Sequence, residues 1–577
     1  AREKHKKTVG WCSKRSSASH PPPPSILVAT RPLNTTWRRF ASNRPQGVEA
    51  PQWFRNSLGV AVAGTAAFLG YSYINSNKEL WINSQVDSKK GPVDANELRA
   101  QFVQEKRSLK SPGVYTWGSN AYKVVDPGSK DTDIKAPRRF KYFNGQVLRD
   151  FKIEERSGAA ITEEGDLVQW GKGFSEKEFK PSKTLVGKKL ISLSFSESRI
   201  IALSSDGNIY SLPISKEEQL TGPKVREGSW LSLGLTQSTL SYRLLKPALK
   251  LGEKVSSISG GQQHVLLLTN SGRVFAAASS TENYPTLGQL GVTGLTWSTR
   301  PSGPADTCHE VTELKGSKIT HIAAGDYHSL ALSKDGRLFG WGDNSFGQLG
   351  VEFEPSLPYR DTPFVLPINR LYNSQKYATR VTSVEPILFF TVDATRILGP
   401  EENPADVRDL GNVTADTWSC GRGIWGTLGT GRWKHVQDAP TKIKDLSGLG
   451  EYDEQAKKMV PIRIRNWSVG TTHVAAILDN KANLSAKDTS SLKKMNDWGY
   501  EAFWWGGNEN FQLGTGKRSN QPRPTYITAP PESVKSPEPV ARLQIMPRHK
   551  GTVGKRSVDM EQRVECGRHV SAIYSAV

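Results

Sequence analysis

The chain has 577 residues, more than one compact core usually holds, and its 36% hydrophobic content with 16 tryptophans excludes a disordered polymer. The net charge of +21 is concentrated at the front, where residues 1–56 carry 11 Lys+Arg against 2 Asp+Glu, so the rest is mildly basic and lacks the dense cationic stripe of a nucleic-acid binder. Cys12, Cys308, Cys420 and Cys566 form no CxxC pair, which excludes a disulfide framework and a zinc site.

The first 40 residues are rich in Arg, Lys and Ser and nearly free of acids, as a mitochondrial presequence is. Arg38-Arg39-Phe40-Ala41-Ser42 fits a presequence cleavage motif and places the cut at Phe40 and Ala41. Residues 41–55 would then be a short mature tail. Residues 56–77, NSLGVAVAGTAAFLGYSYINSN, carry no charge between Arg55 and Lys78. At about 1.5 Å per residue they span roughly 30 Å, which predicts one transmembrane helix in contact with inner-membrane lipid. A buried helix of a soluble domain is the alternative. Cations on both flanks leave its orientation open. Residues 78–110 read as a polar connector.

Beyond residue 110 one phrase recurs. Lys334-Asp335-Gly336-Arg337 is a hairpin turn between alternating apolar runs, and Glu164-Gly165, Asp206-Gly207 and Ser271-Gly272 repeat it. Gly325-x-x-His328 returns as Gly261-x-x-His264 and Gly470-x-x-His473, and one residue shorter at Gly567 and His569. Gln348-Leu349-Gly350 returns at Gln289 and Gln512, and more loosely at Thr427. Each unit holds a first strand (HSLAL, HVLLL, HVAAI, HVSAI) and a second strand ending near Trp-Gly. Second strands fall at Trp117, Trp170, Leu212, Ala277, Trp341, Trp418 and Trp505. First strands fall near Ser157, Arg199, His264, His328, Phe389, His473 and His569. The chain thus begins with a second strand and ends with a first strand, so its two ends complete one blade and close a ring without free sheet edges.

These words resemble the repeats of the regulator-of-chromosome-condensation family over residues 113–577. The resemblance implies an all-β fold: a seven-bladed β-propeller over 111–577, preceded by a single transmembrane helix and a disordered basic presequence. The third unit departs from the pattern at Tyr210-Ser211-Leu212, and the sixth at Phe389-Phe390. With the presequence and the membrane segment, the chain looks like the mitochondrial branch, closest to the fungal inner-membrane type linked to respiratory complex III assembly.

No GxxxxGK[ST], HExxH or GxSxG motif occurs, so no catalytic residue, cofactor or metal is expected and the chain reads as a binding protein rather than an enzyme. The repeated histidines read as structural, capping or bridging backbone within each blade. Binding is sought in departures from the repeat. Insertions at 393–416 and 479–501 interrupt the same link in neighbouring units and should rise side by side. A third, at 516–562, is Pro-rich and basic, and its position in the repeat suggests the opposite face. Candidate interaction residues are Arg408, Lys493, Lys494, Arg548, Lys550, Lys555 and Arg556. The expected partner is a protein client of an inner-membrane respiratory complex, with complex III first and a mitoribosome assembly role second. RNA contact is less favoured and DNA is not expected. Nucleotide exchange on a mitochondrial GTPase, by analogy with the founding family member, is the alternative of a different class. The propeller is placed preferentially on the matrix side.

Overall fold

The computed structural model describes residues 111–228, 235–453, 457–480, 499–527 and 543–577. The presequence site at Phe40 and Ala41, the membrane segment 56–77 and the connector lie outside the described residues. Among the described residues no helix is long and apolar enough to cross a membrane.

Each apolar run read as a first strand pairs antiparallel with the second strand that follows it. In the fourth unit His264–Thr269 pairs with Val274–Ala278, in the fifth His328–Ser333 with Leu338–Asp343, and in the seventh His473–Leu478 with Tyr500–Gly506. The three first strands are buried along their whole length, since both sheet faces are covered by neighbouring sheets. In the fifth and seventh units the glycine of the Trp-Gly pair sits opposite the histidine, Gly342 against His328 and Gly506 against His473. Gly342 has φ 96°, and a Cβ there would stand 2.7 Å from His328 Cα. Only glycine permits that approach.

An inner strand precedes each first strand, and an outer strand follows each second strand. The third to seventh units form five separate sheets built this way. The third holds Leu190–Ser196, Arg199–Ser204, Ile209–Pro213 and Arg243–Leu245. The inner strands that follow are Val255–Gly260, Ile319–Ala324, Tyr377–Glu385 and Ile464–Val469. The expectation of seven blades needs correcting, since only five separate blade sheets form among the described residues. Strands of the first and second units run together in one nine-stranded sheet. The cause is a single parallel pair, Leu148 with Ala576, which joins Leu148–Ile153 to the C-terminal strand Val570–Ala576. That C-terminal strand lies between Arg556–Cys566 and Val114–Ser119, so the two ends of the repeat region interleave.

The repeat words are explained by contacts between units. Trp341 Nε1 donates to Gln289 O at 3.0 Å, Trp505 Nε1 to Thr427 O at 2.6 Å and Trp117 Nε1 to Gln512 O at 2.8 Å. Three of the four tails of the Gln-Leu-Gly type therefore receive the tryptophan of the next unit; the exception is the tail at Gln348, because Trp418 Nε1 donates to Tyr372 OH at 3.1 Å. The histidines also reach across units, not within a blade as expected. His264 Nε2 lies 2.8 Å from Ser329 Oγ, and His473 Nε2 lies 2.6 Å from Ser571 Oγ. Each serine hydroxyl donates onward to Gln289 O or Gln512 O, so the imidazole Nε2–H is the donor to serine. In the sixth unit Phe390 stands where these serines stand, and His328 Nε2 has no partner among the described residues.

The strands have two ends. One end, the funnel face, carries the inner-to-first turns and the second-to-outer links. The other, the link face, carries the first-to-second turns and the links from one unit to the next. The insertion expected at 393–416 is strand at both ends, because Phe389–Arg396 and Val413–Arg422 stay paired out to Thr395 and Val413. A loop over 397–412 remains. Of the insertion at 479–501, residues 481–498 lie outside the described residues. The segment 516–562 is not one unfolded insertion. Gln521–Thr525 is the outer strand of the seventh unit, Gln544–Ile545 pairs with Tyr500–Glu501, and His549–Val553 forms a hairpin with the start of Arg556–Cys566. Because the outer strand reverses the chain first, this segment returns to the link face. The loop 397–412, the described ends of the second insertion and the described part of the third beyond Thr525 therefore share one face, and the expected opposite placement of the third is wrong.

Candidate functional site

The inner strands surround a central cavity of about 1430 Å³ that opens on the funnel face and takes lining residues from every unit. Its wall is held by polar staples between successive inner strands. Ser194 Oγ accepts the Gly260 N–H at 2.9 Å, Ser259 Oγ the Ala324 N–H at 2.9 Å, and Ser468 Oγ the Cys566 N–H at 2.7 Å. Between the second and third units Asp150 Oδ2 accepts the Leu193 N–H at 2.6 Å. Fixed hydrogen bonds of this kind make the wall rigid and hydrophilic.

The charges in the funnel come from inner strands and their turns. Lys152 Nζ lies 2.9 Å from Glu565 Oε2. Burial alone would lower Lys152, but Glu565 and Asp150 outweigh it and keep the ammonium charged. Burial pushes Glu154 up to about 7, with the charge of Asp326 adding and the backbone N–H of Arg568 opposing at 3.0 Å. Asp326 is likewise raised by its crowded position, against the pull of Arg422 and Arg568. The Arg422 guanidinium lies over Phe346, 5.2 Å from the ring centroid, and 5.6 Å from that of Trp425. Such a site can grip a charged, protruding segment of another protein.

Glu154 yields a direct prediction. A carboxyl whose folded pKa exceeds its unfolded value binds the extra proton in the native state. Its contribution is present below about pH 4.5 and is lost as pH rises toward 7. Glu154→Gln keeps an acceptor for Arg568 N–H and removes the charge. We expect it to stabilise the chain by about 1 kcal/mol at pH 8, discounted for channel water, and to leave stability unchanged at pH 4. Urea midpoints at the two pH values check this.

The residues singled out from sequence lie elsewhere. Arg408, Arg548, Lys550 and Lys555 are exposed on the link face. Arg556 shares that face but is paired with Glu163 at 2.8 Å. Lys493 and Lys494 lie outside the described residues. None of the described five enters the funnel. The funnel charges escaped sequence reading because they occupy variable positions within or beside the repeated words, Asp326 after Gly325 and Arg568 after Gly567. Glu154 and Arg568 did stand at the one recurrent signal available, the turn just before each first strand. Cys420 and Cys566 are buried free thiols whose pKa burial raises. Among the described residues no three His, Cys, Asp or Glu side chains could together hold a metal ion.

Comparison with known proteins agrees with this architecture. Residues 319–348 match the family model of the regulator of chromosome condensation (RCC1) repeat. The chain is similar to Protein FMP25, mitochondrial, of Saccharomyces cerevisiae, with 24% identity over 71% of this chain and 64% of that protein. It is 26% identical to the ultraviolet-B receptor UVR8 of Arabidopsis thaliana over 41% of this chain and 50% of the receptor. Both alignments therefore leave a third or more of the relative unmatched. The crystal structure of human WBSCR16 shares the fold at TM-score 0.50 and 18% identity, covering 81% of this chain and 99% of that one. The chain therefore carries RCC1-type repeats on a β-propeller fold and is similar to a mitochondrial protein.

Proposed function

We propose that this chain is a mitochondrial scaffold that holds a protein client in the funnel of a closed propeller and assists assembly of an inner-membrane complex, with respiratory complex III the first choice. The observation that carries the reading is the funnel itself: a stapled polar wall with lining residues from every unit, charged side chains from five of them, and a volume of about 1430 Å³. The yeast likeness supports the compartment. In this reading the nine-stranded sheet counts as two blades, so the ring has seven. Residues 1–40 are the presequence, 41–55 the mature tail, 56–77 the inner-membrane helix, 78–110 the connector and 111–577 the propeller on the matrix side. A tether of that kind raises the local concentration of the scaffold near membrane clients.

The test is mass spectrometry of what co-purifies with the tagged full chain from gently solubilised mitochondria, beside the variant R422E/R568E. Complex III subunits or their assembly factors should be recovered with the wild type. They should fall at least tenfold with the variant, while its melting point stays put. Mitoribosomal proteins would move the function to ribosome assembly. A stoichiometric GTPase would move it to nucleotide exchange.

A further inference from the structure

The link face differs from the funnel face in chemistry. Three successive links, residues 184–189, 246–254 and 311–318, hold seven lysines against only Glu253 and Glu313. Glu253 is already held by Arg273 at 2.6 Å. The position of the cations is set by the repeat. Lys189, Lys254 and Lys318 each accept the same backbone bond, from the N–H of Ser205, Asn270 and Lys334. Each thus stands just before an inner strand, beside the first-to-second turn of its own unit. Successive units therefore present one cation each around this end of the ring. All three are exposed.

Apolar side chains stand out among these lysines. In the link KPALKLGEK, Leu249 and Leu251 alternate with Lys246, Lys250 and Lys254, and Leu251 is fully exposed at the tip of the turn. Val186, 54% exposed, precedes Lys188 and Lys189. Farther round the same face, exposed Tyr452 and Met459 sit on the hairpin Gly450–Asp453 with Lys458–Pro461, beside Lys457 and Lys458. The apolar tips are scattered over separate links, so one groove cannot take them together. A planar partner that is anionic at its surface and apolar beneath meets them all at once. Each cation near such a surface contributes about as much as a tenth of the binding energy of a micromolar complex.

We infer that the link face of the propeller docks on an anionic phospholipid bilayer, with Leu251 and its neighbours entering the headgroup boundary and the link lysines meeting the phosphates. This does not depend on which client the funnel holds, nor on whether residues 56–77 span the bilayer.

The test is hydrogen–deuterium exchange of the full chain on vesicles of phosphatidylcholine alone and of phosphatidylcholine with cardiolipin. This reads the links themselves, even if the N-terminal segment inserts in both. Exchange at 184–189 and 246–254 should slow on the cardiolipin vesicles only, and the slowing should fade at high salt. The variants K250E/K254E and L249S/L251S should each weaken that protection at least tenfold in lipid concentration while keeping the wild-type melting point. Equal exchange on the two vesicle types would overturn the inference. So would protection by an RNA oligonucleotide or an acidic peptide that matches or exceeds that by cardiolipin vesicles.

Discussion

Removing residues 567–577 is expected to abolish cooperative folding of the whole propeller, not merely of its last strand. The strand Val570–Ala576 pairs on one side with Arg556–Cys566, on the other with Val114–Ser119, and at its end with Leu148. Val570, Ile573 and Tyr574 are buried in the same cluster as Trp117, Trp170 and Trp504. Burial of such side chains contributes about 1.5–3 kcal/mol each, and each ladder hydrogen bond about 1 kcal/mol. Their sum matches or exceeds the 5–15 kcal/mol by which a typical domain is stable. The loss also leaves Val114–Ser119 and Arg556–Cys566 as unpaired edges, which invites aggregation. Circular dichroism melts and limited proteolysis decide the matter. The truncated chain should show no sharp transition and should be cut throughout 111–566. A truncated chain that melts at the wild-type midpoint would show that the ring is not held by this strand. Ser571→Ala is the milder companion, expected to cost about 1–3 kcal/mol because His473 Nε2–H then loses its buried acceptor.

The elements that carry repeated words were legible in the sequence, and the reasons are local. HVLLL and HSLAL must be strands buried on both faces, and the turn at Lys334–Arg337 must join two of them. What those words touch was not legible. Ser329 lies 65 positions from His264, and Gln289 lies 52 from Trp341, so only the stacking of units reveals that they meet. The outer strand Gln521–Thr525 was missed because Pro522 and Pro524 argue against a central strand. At the outside of a blade a proline N is turned to solvent and costs no ladder bond. Missing that strand put the third insertion on the wrong face. The merging of two units into one sheet rests on a single pair, Leu148 with Ala576, which no sequence period encodes. The funnel was hidden for a related reason. Inner strands such as Leu148–Ile153 and Ile464–Val469 share little beyond alternation, and their charges vary from unit to unit.

Acid should unfold the propeller well above the range where carboxylates titrate, through three histidines buried between blades. Burial holds His264 and His473 down to about 3, with a second imidazole adding in each case, and holds His328 down to about 4. In the unfolded chain each titrates near 6.5. A base whose folded pKa is depressed contributes stability that is complete above pH 6.5 and is lost as pH falls toward 3–4. At pH 5 each site then costs about 2 kcal/mol, so the three together cost about 6 kcal/mol, comparable with the stability of a domain. Glu154 and Glu565, both raised to about 7 by burial, run the other way over pH 4.5–7 and offset part of this. The geometry explains why protonation is so unfavourable. His264 and His473 already donate from Nε2 to serine, and a second proton on Nδ1 would place a charge where water cannot follow. Urea unfolding at half-unit steps between pH 8 and 4.5 should show stability falling with a slope set by three imidazole protons less those that Glu154 and Glu565 take up. His473→Gln keeps a donor for Ser571 and removes one titrating site. It should lower stability by about 1 kcal/mol at pH 8 and cut the acid slope by about one proton. A slope near zero between pH 6.5 and 5, or an H473Q slope equal to that of the wild type, would mean that these imidazoles accept protons in the folded ring and that the staples between blades tolerate charge.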